Sequence, residues 1–236
     1  MSATLVEPVA PDSRALTVLP PPPGPNIAAA LAKLAILAGV LLLVGVAGFL
    51  SWTRHSGSER AADTVQALQE QWRESPQAPV VGEQPGSGPA PSAAATVPGK
   101  AFAIMTVPRF GPDWKMPVFE GTGAPALRAG VGHYAGTARP GEIGNFAVAG
   151  HRTTWARPFQ DVDRLRAGDK VVVQTREARF TYRVTDHELV RPDQTAVLDA
   201  VPGQARLTMT TCHPEYSDSQ RWIVHAELVE PAPIGG

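Results

Sequence analysis

The only cysteine of the chain, Cys212, ends the run Leu207-Thr-Met-Thr-Thr-Cys212, and Arg221 opens the run Arg221-Trp-Ile-Val224. Both runs read as strands, joined by the polar stretch His213–Gln220. An antiparallel hairpin would bring the thiol and the guanidinium to the same end of one sheet. In the first run, alternation puts Leu207, Met209 and Thr211 on one face, and Thr208, Thr210 and Cys212 on the other, more polar one. A cysteine that serves only packing belongs with the apolar set. A thiol at a strand end beside a cation suits a nucleophile. The fixed charge can stabilise the oxyanion formed when a thiolate attacks a carbonyl, or hold a peptide substrate.

Such a thiol needs a base or a cationic partner to react at neutral pH. Six histidines are available. His55 borders a hydrophobic segment far from Cys212 in sequence. His187 and His225 fall inside strand-like runs, where a satisfied structural ring is the common outcome. His213 neighbours Cys212, but consecutive strand side chains point to opposite faces. His133 sits in a Gly-rich turn and stays available. His151 is favoured, because it follows Phe146-Ala-Val-Ala-Gly150 and so lies just past a strand end, as Cys212 does. If the two strands lie side by side and parallel, both side chains emerge at one edge.

Other chemistries find little support. His133, His151 and His213 could converge, but there is no His-x-x-x-His or Cys-x-x-Cys spacing, so no metal site is expected. The glycines of 141–150 lack the Gly-x-Gly-x-x-Gly spacing, and no Gly-x-x-x-x-Gly-Lys loop occurs, so no nucleotide cofactor is expected. The formal net charge of −1, without a basic block, gives no electrostatic case for nucleic acid. A lone cysteine also excludes an intramolecular disulfide.

The rest of the chain divides by composition. Residues 1–26 are small, polar and Pro-rich, as expected of a disordered tail. Residues 27–52 form the one long hydrophobic segment. Its uncharged core Leu34–Leu50 and the longer stretch Ile27–Leu50, broken only by Lys33, span roughly 25 to 36 Å as helix, which brackets the hydrocarbon core of a bilayer. Lys33 can snorkel, and Trp52 and Arg54 sit where interfacial anchors belong. A retained membrane anchor in contact with lipid is preferred to a cleaved signal peptide, because the preceding tail is long and no Ala-x-Ala site follows. Residues 53–74 read as a short juxtamembrane helix with Val65, Leu68 and Trp72 as a thin apolar stripe. Residues 75–99, with six Pro and four Gly, have linker composition. Extended as polyproline they would reach roughly 75 Å and hold anchor and domain apart. From residue 100 to 232, short strands recur with turn signals between them: Ala101–Val107, Lys115–Glu120, Asn145–Ala149, Lys170–Thr175, Arg179–Thr185, His187–Val190, Arg206–Cys212 and Arg221–Glu230. The fold class is mainly β, a sandwich or barrel, with one helical turn over Ala124–Val131.

Three separated motifs in this order are similar to those of the sortases, membrane-anchored cysteine transpeptidases of Gram-positive bacteria. Thr208-Met-Thr-Thr-Cys212, preceded by Leu207, resembles the family's Thr-Leu-x-Thr-Cys strand. Ala149-Gly-His-Arg-Thr-Thr154 resembles its histidine motif, and Arg221 its arginine. Gly132-His-Tyr-Ala-Gly-Thr-Ala-Arg-Pro-Gly141 resembles the region before that histidine. Cys212-His-Pro, with the later Gln220-Arg-Trp-Ile-Val-His-Ala-Glu227, is most similar to the class E group of actinobacteria. Trp155 departs from that pattern, which has Tyr there.

The resemblance implies an eight-stranded β-barrel and catalytic His151, Cys212 and Arg221, with no cofactor. It implies substrate contacts at His133, Tyr134 and Thr211. It also implies cleavage between Thr and Gly of a Leu-Pro-x-Thr-Gly or Leu-Ala-x-Thr-Gly sorting motif on surface proteins, through a Cys212 thioester. The acceptor would be an amine of a peptidoglycan precursor or a pilin. The chain would be single-pass in the cell membrane, with a cytoplasmic N-terminus and an extracytoplasmic catalytic domain. A rival within enzymes is another cysteine peptidase or an L,D-transpeptidase acting on cell wall, whose usual Ser-His-Gly-Cys pattern is absent. A membrane-tethered β-domain that binds wall or protein ligands without catalysis is the alternative from another class.

Overall fold

The structure, a computed structural model, describes residues 26–74 and 99–233. The expected tail, apart from Asn26, and the expected linker, apart from Gly99, lie outside the described residues. The chain forms two compact units, Met1–Gly45 and Val46–Gly236.

The first unit contributes the apolar part of helix α1, Ile27–Glu74. Leu31, Leu34, Leu37 and Leu41 are all more than half exposed there. Among the described residues this is the one helix long and apolar enough to cross a membrane. The two segments expected as separate helices, 27–52 and 53–74, are continuous. No Pro or helix-stopping Gly pair stands between them, and Ser56-Gly57-Ser58 is carried through by the turns on either side.

The second unit is a closed eight-stranded barrel with the last turns of α1 packed on it. Its strands are β1 Ala101–Thr106, β2 Lys115–Glu120, β3 Val131–His133, β4 Gly144–Ala149, β5 Lys170–Gln174, β6 Ala178–Val190, β7 Ala205–His213 and β8 Gln220–Pro233. They close in the order β1-β2-β3-β4-β7-β8-β6-β5. The neighbours β2–β3 and β4–β7 are parallel and the other pairs antiparallel. The short helix α2, Ala124–Ala129, makes the parallel step from β2 to β3, with Pro125 in its first turn.

Alternation fills the barrel. Phe146 and Val148 of β4, Leu207 and Met209 of β7, and Val224 and Ala226 of β8 all enter one core with Tyr182 and Val118. The β5–β6 hairpin closes over Thr175, whose hydroxyl accepts from the backbone N–H groups of Glu177 and Ala178 at 3.2 and 3.1 Å. Two differences from the expected strands have clear causes. The separate strands Arg179–Thr185 and His187–Val190 are one, β6, because a bulge between Val184 and Asp186 keeps the ladder to β8 running past the polar interruption. Val131-Gly-His133, expected as turn, is a strand between β2 and β4.

The stripe expected on the juxtamembrane helix has a partner. Val65 and Leu68 are buried against Ile104 of β1, with Trp72 and Ala101 at the edge of the same cluster. Two such side chains contribute up to about 1.5–3 kcal/mol each. Nearer the membrane-length stretch, Gly57 lies on the barrel surface. A Cβ there would come within 2.3 Å of the Ala156 nitrogen, so only glycine permits this approach. The turns of α1 around Val65 and Leu68 thus pack directly on β1, although the 75–99 segment lies between the two in sequence. The residues at its two ends, Trp72 and Ala101, border one cluster.

Candidate active site

β4 and β7 run parallel with Ala149 opposite Thr210. His151 and Cys212 each lie two residues beyond that pair, so both continue the same outward-facing row at the same end of the barrel. The last ties between the strands are the Gly150 N–H donating to the Thr210 carbonyl at 3.1 Å and the Thr211 hydroxyl donating to the Gly150 carbonyl at 2.7 Å. Antiparallel β8 then places Arg221 directly opposite Cys212. Cys212, His151 and Arg221 are all half-buried. The thiol is thus reachable, which a purely packing cysteine would not need.

The segment carrying His151 is anchored into the core. The Phe159 N–H donates to the His151 carbonyl at 3.1 Å, and Phe159 is fully buried. Gly150 makes room, since a Cβ there would sit 2.7 Å from the Phe159 ring. Burial, with the Arg128 guanidinium of α2 as the second cause, lowers the His151 pKa below its ordinary 6.5. The resting imidazole is therefore neutral and can accept a proton.

Arg221 holds a defined pose. Its Nη1 donates to the Asp218 carbonyl at 2.8 Å and to the Gln220 carbonyl at 3.0 Å. Among the described residues Nε and Nη2 make no hydrogen bond, which leaves donors for an oxyanion or a peptide carbonyl.

The three residues expected to contact substrate separate. Tyr134 lies at this end, with its hydroxyl 3.0 Å from the Thr210 hydroxyl. Thr211 is buried, faces the barrel interior and spends its hydroxyl on Gly150. His133 is 2% exposed, with Nδ1 2.9 Å from Glu120 and Nε2 3.0 Å from the Ala138 carbonyl. Both of its nitrogens are thereby occupied, so the geometry gives it no atom for a peptide. The threonine on the Cys212 face is Thr210. The alternation that set Thr211 beside Leu207 already carried that distinction.

Two further residues make contacts that sequence reading did not supply. Arg152 is a buried guanidinium between the two strand ends. Trp155 lies at φ 57, a left-handed conformation that costs a non-glycine residue on the order of 1–3 kcal/mol. Its ring is held by Arg128 at 4.7 Å and by the edge of Trp52 at 6.2 Å. The expected Tyr is replaced here by a larger ring that reaches the helix. No periodicity signals either contact.

A closed mainly-β barrel with Cys, His and Arg gathered on neighbouring strand ends is the arrangement of a cysteine transpeptidase fold. Residues 105–229 match the Sortase domain family, and the chain belongs to that family. It is 32% identical to Sortase SrtE1 of Streptomyces coelicolor over 228 residues, covering 89% of this chain and 60% of that protein. It is 31% identical to Sortase D of Bacillus subtilis over 134 residues, covering 56% of this chain and 65% of that protein. The chain thus spans less than two thirds of the length of each of these two. Among solved structures, sortase E of Streptomyces avermitilis is 44% identical with a TM-score of 0.55, covering 58% of this chain and 93% of the other. The SrtA sortase of Actinomyces oris is 36% identical with a TM-score of 0.55, covering 58% and 84%.

Proposed function

We propose that this protein is a class E-type sortase that cleaves a sorting motif between Thr and Gly through a Cys212 thioester and transfers the acyl group to an amine. The observation that supports this best is the shared register of His151 and Cys212 beyond the Ala149–Thr210 pair, with Arg221 opposite the thiol.

Cys212 Sγ attacks the Thr carbonyl carbon of a Leu-Pro-x-Thr-Gly or Leu-Ala-x-Thr-Gly peptide, and neutral His151 takes the thiol proton. The Arg221 donors stabilise the oxyanion. The C–N bond breaks as His151 hands that proton to the leaving glycine amine, and the thioester remains. An incoming amine, from a peptidoglycan precursor or a pilin subunit, attacks the thioester and gives its proton to His151. Collapse expels the Cys212 sulfur, which regains the proton. The proteins that bear the sorting signal are the acyl donors, and they are processed on the outer side of the membrane. The apolar part of α1 serves as a single-pass anchor, with the N-terminus in the cytoplasm.

The test uses the full-length chain in detergent with a fluorogenic sorting peptide, Pro and Ala variants in parallel, and hydroxylamine as acceptor. The expected result is hydroxamate product and a mass-detected acyl adduct on Cys212, both abolished in Cys212→Ala. Turnover surviving in Cys212→Ala would sink the mechanism. Peptide binding without any adduct would favour a non-catalytic tethered domain.

A further inference from the structure

We propose that Arg152 is a positioning residue that clamps the His151 and Cys212 strand ends together from the side opposite the reacting groups. This rests on the transpeptidase reading above. Arg152 is only 5% exposed, and a guanidinium is buried to that degree only where it is paired. Its Nη1 donates to His213 Nδ1 at 2.9 Å. Its Nη2 pairs with Asp163 at 3.0 Å, and its Nε faces Glu215 at 3.9 Å. Its carbon centre lies 5.9 Å from the Trp222 ring.

The placement of these contacts gives them meaning. Arg152 follows His151 and His213 follows Cys212, so each clamp residue sits next to a reacting one. Within β7, His213 follows Cys212 and so points to the other side of the strand. Its bond to Arg152 therefore lies on the side away from the thiol, at the barrel mouth. The β4–β7 ladder stops at Gly150 and Thr210. Past that point, Arg152–His213 is the hydrogen bond recorded between the two segments among the described residues. It ties them where backbone pairing no longer does. Because a guanidinium only donates, His213 Nδ1 must accept, which fixes the ring with its proton on Nε2. A lysine in place of Arg152 would give one compact point charge in place of a fork that reaches His213, Asp163 and Glu215 together.

The separation of a nucleophile and its base is the quantity such a clamp controls, and a misplacement of about 1 Å can cost on the order of 10²-fold in rate. The experiment compares Arg152→Met, Arg152→Lys, His213→Ala, His213→Gln and Arg152→Met/His213→Ala in the full-length chain. It reads thioester formation, the pH profile of Cys212 alkylation by iodoacetamide, and Tm. Arg152→Met and His213→Ala are expected to lower kcat for acylation by roughly 10- to 100-fold with KM unchanged. The double variant is expected to be no worse than either single one. His213→Gln, whose amide oxygen can accept from Arg152, is expected to restore most of the rate. The alkylation profile should move in Arg152→Met and return in His213→Gln. Wild-type kcat in a folded Arg152→Met, or losses that multiply in the double variant, would overturn the proposal. If Arg152→Met does not fold, the His213→Ala and His213→Gln comparison decides. If the wild-type chain leaves the peptide untouched, the transpeptidase reading fails, while the alkylation profile still reports on the clamp.

Discussion

The guanidinium of Arg128 lies 4.7 Å from the centre of the Trp155 ring, and the same charge acts on His151. One residue of α2 thus braces the loop after the histidine and depresses the basicity of its ring. Arg128→Ala removes the positive neighbour, so the His151 pKa should rise toward 6.5 while burial still holds it below. An NMR titration of the ring should show that upward shift, and the acid limb of the acylation rate should move to higher pH with it.

The lowered pKa also couples to folding. Below pH 6.5 the unfolded chain takes up a proton at His151 that the native chain resists. The resulting loss of stability is absent above that pH. It grows as pH falls through 6.5 and is complete below the folded value. Urea melts across this range should show a steeper decline for wild type than for His151→Asn. Parallel declines would place the ring in a solvated setting.

Tyr134 and Thr210 share a hydroxyl–hydroxyl bond at 3.0 Å, and Thr210 is 4% exposed. Tyr134→Phe leaves a buried hydroxyl without that partner, at a cost of about 1–3 kcal/mol. Tyr134→Phe/Thr210→Val removes both groups and should cost less than the sum of the two single changes. Chemical denaturation measures the cycle, and peptide kcat/KM shows whether the pair also lines the bound motif.

Gly57 admits the helix to the barrel surface at Trp155 and Ala156. A Gly57→Val chain should hold its barrel but lose this contact. Hydrogen exchange should then quicken over the residues following His151 and over the facing turns of α1. Unchanged exchange in both places would mean that the helix is held without this approach.

Much of this arrangement was legible in the sequence, because alternation and turn chemistry are local. The strands around Cys212, His151 and Arg221 fall where period-2 patterning puts them, and β4 and β7 are parallel neighbours as the shared edge required. The short β3 was not legible. Val131-Gly-His133 is too short to show alternation, and its strand character comes from flanking β2 and β4. The unbroken β6 was hidden for the opposite reason, since a bulge shifts the register within one strand. The contacts of Arg152 and Trp155 were invisible, although Trp155 already stood out as a departure from the class E pattern. Their partners, His213 and Trp52, are distant in sequence, and a buried guanidinium or a left-handed tryptophan leaves no periodic trace.

Val65 and Leu68 meet Ile104 across a stretch of Pro, Gly and Ser that begins just after the helix and ends just before β1. A protease that cuts within residues 75–98 would therefore nick this protein without shedding its barrel. The two fragments would stay together through that cluster and the Gly57 approach, and only weakening those contacts would let the catalytic portion go.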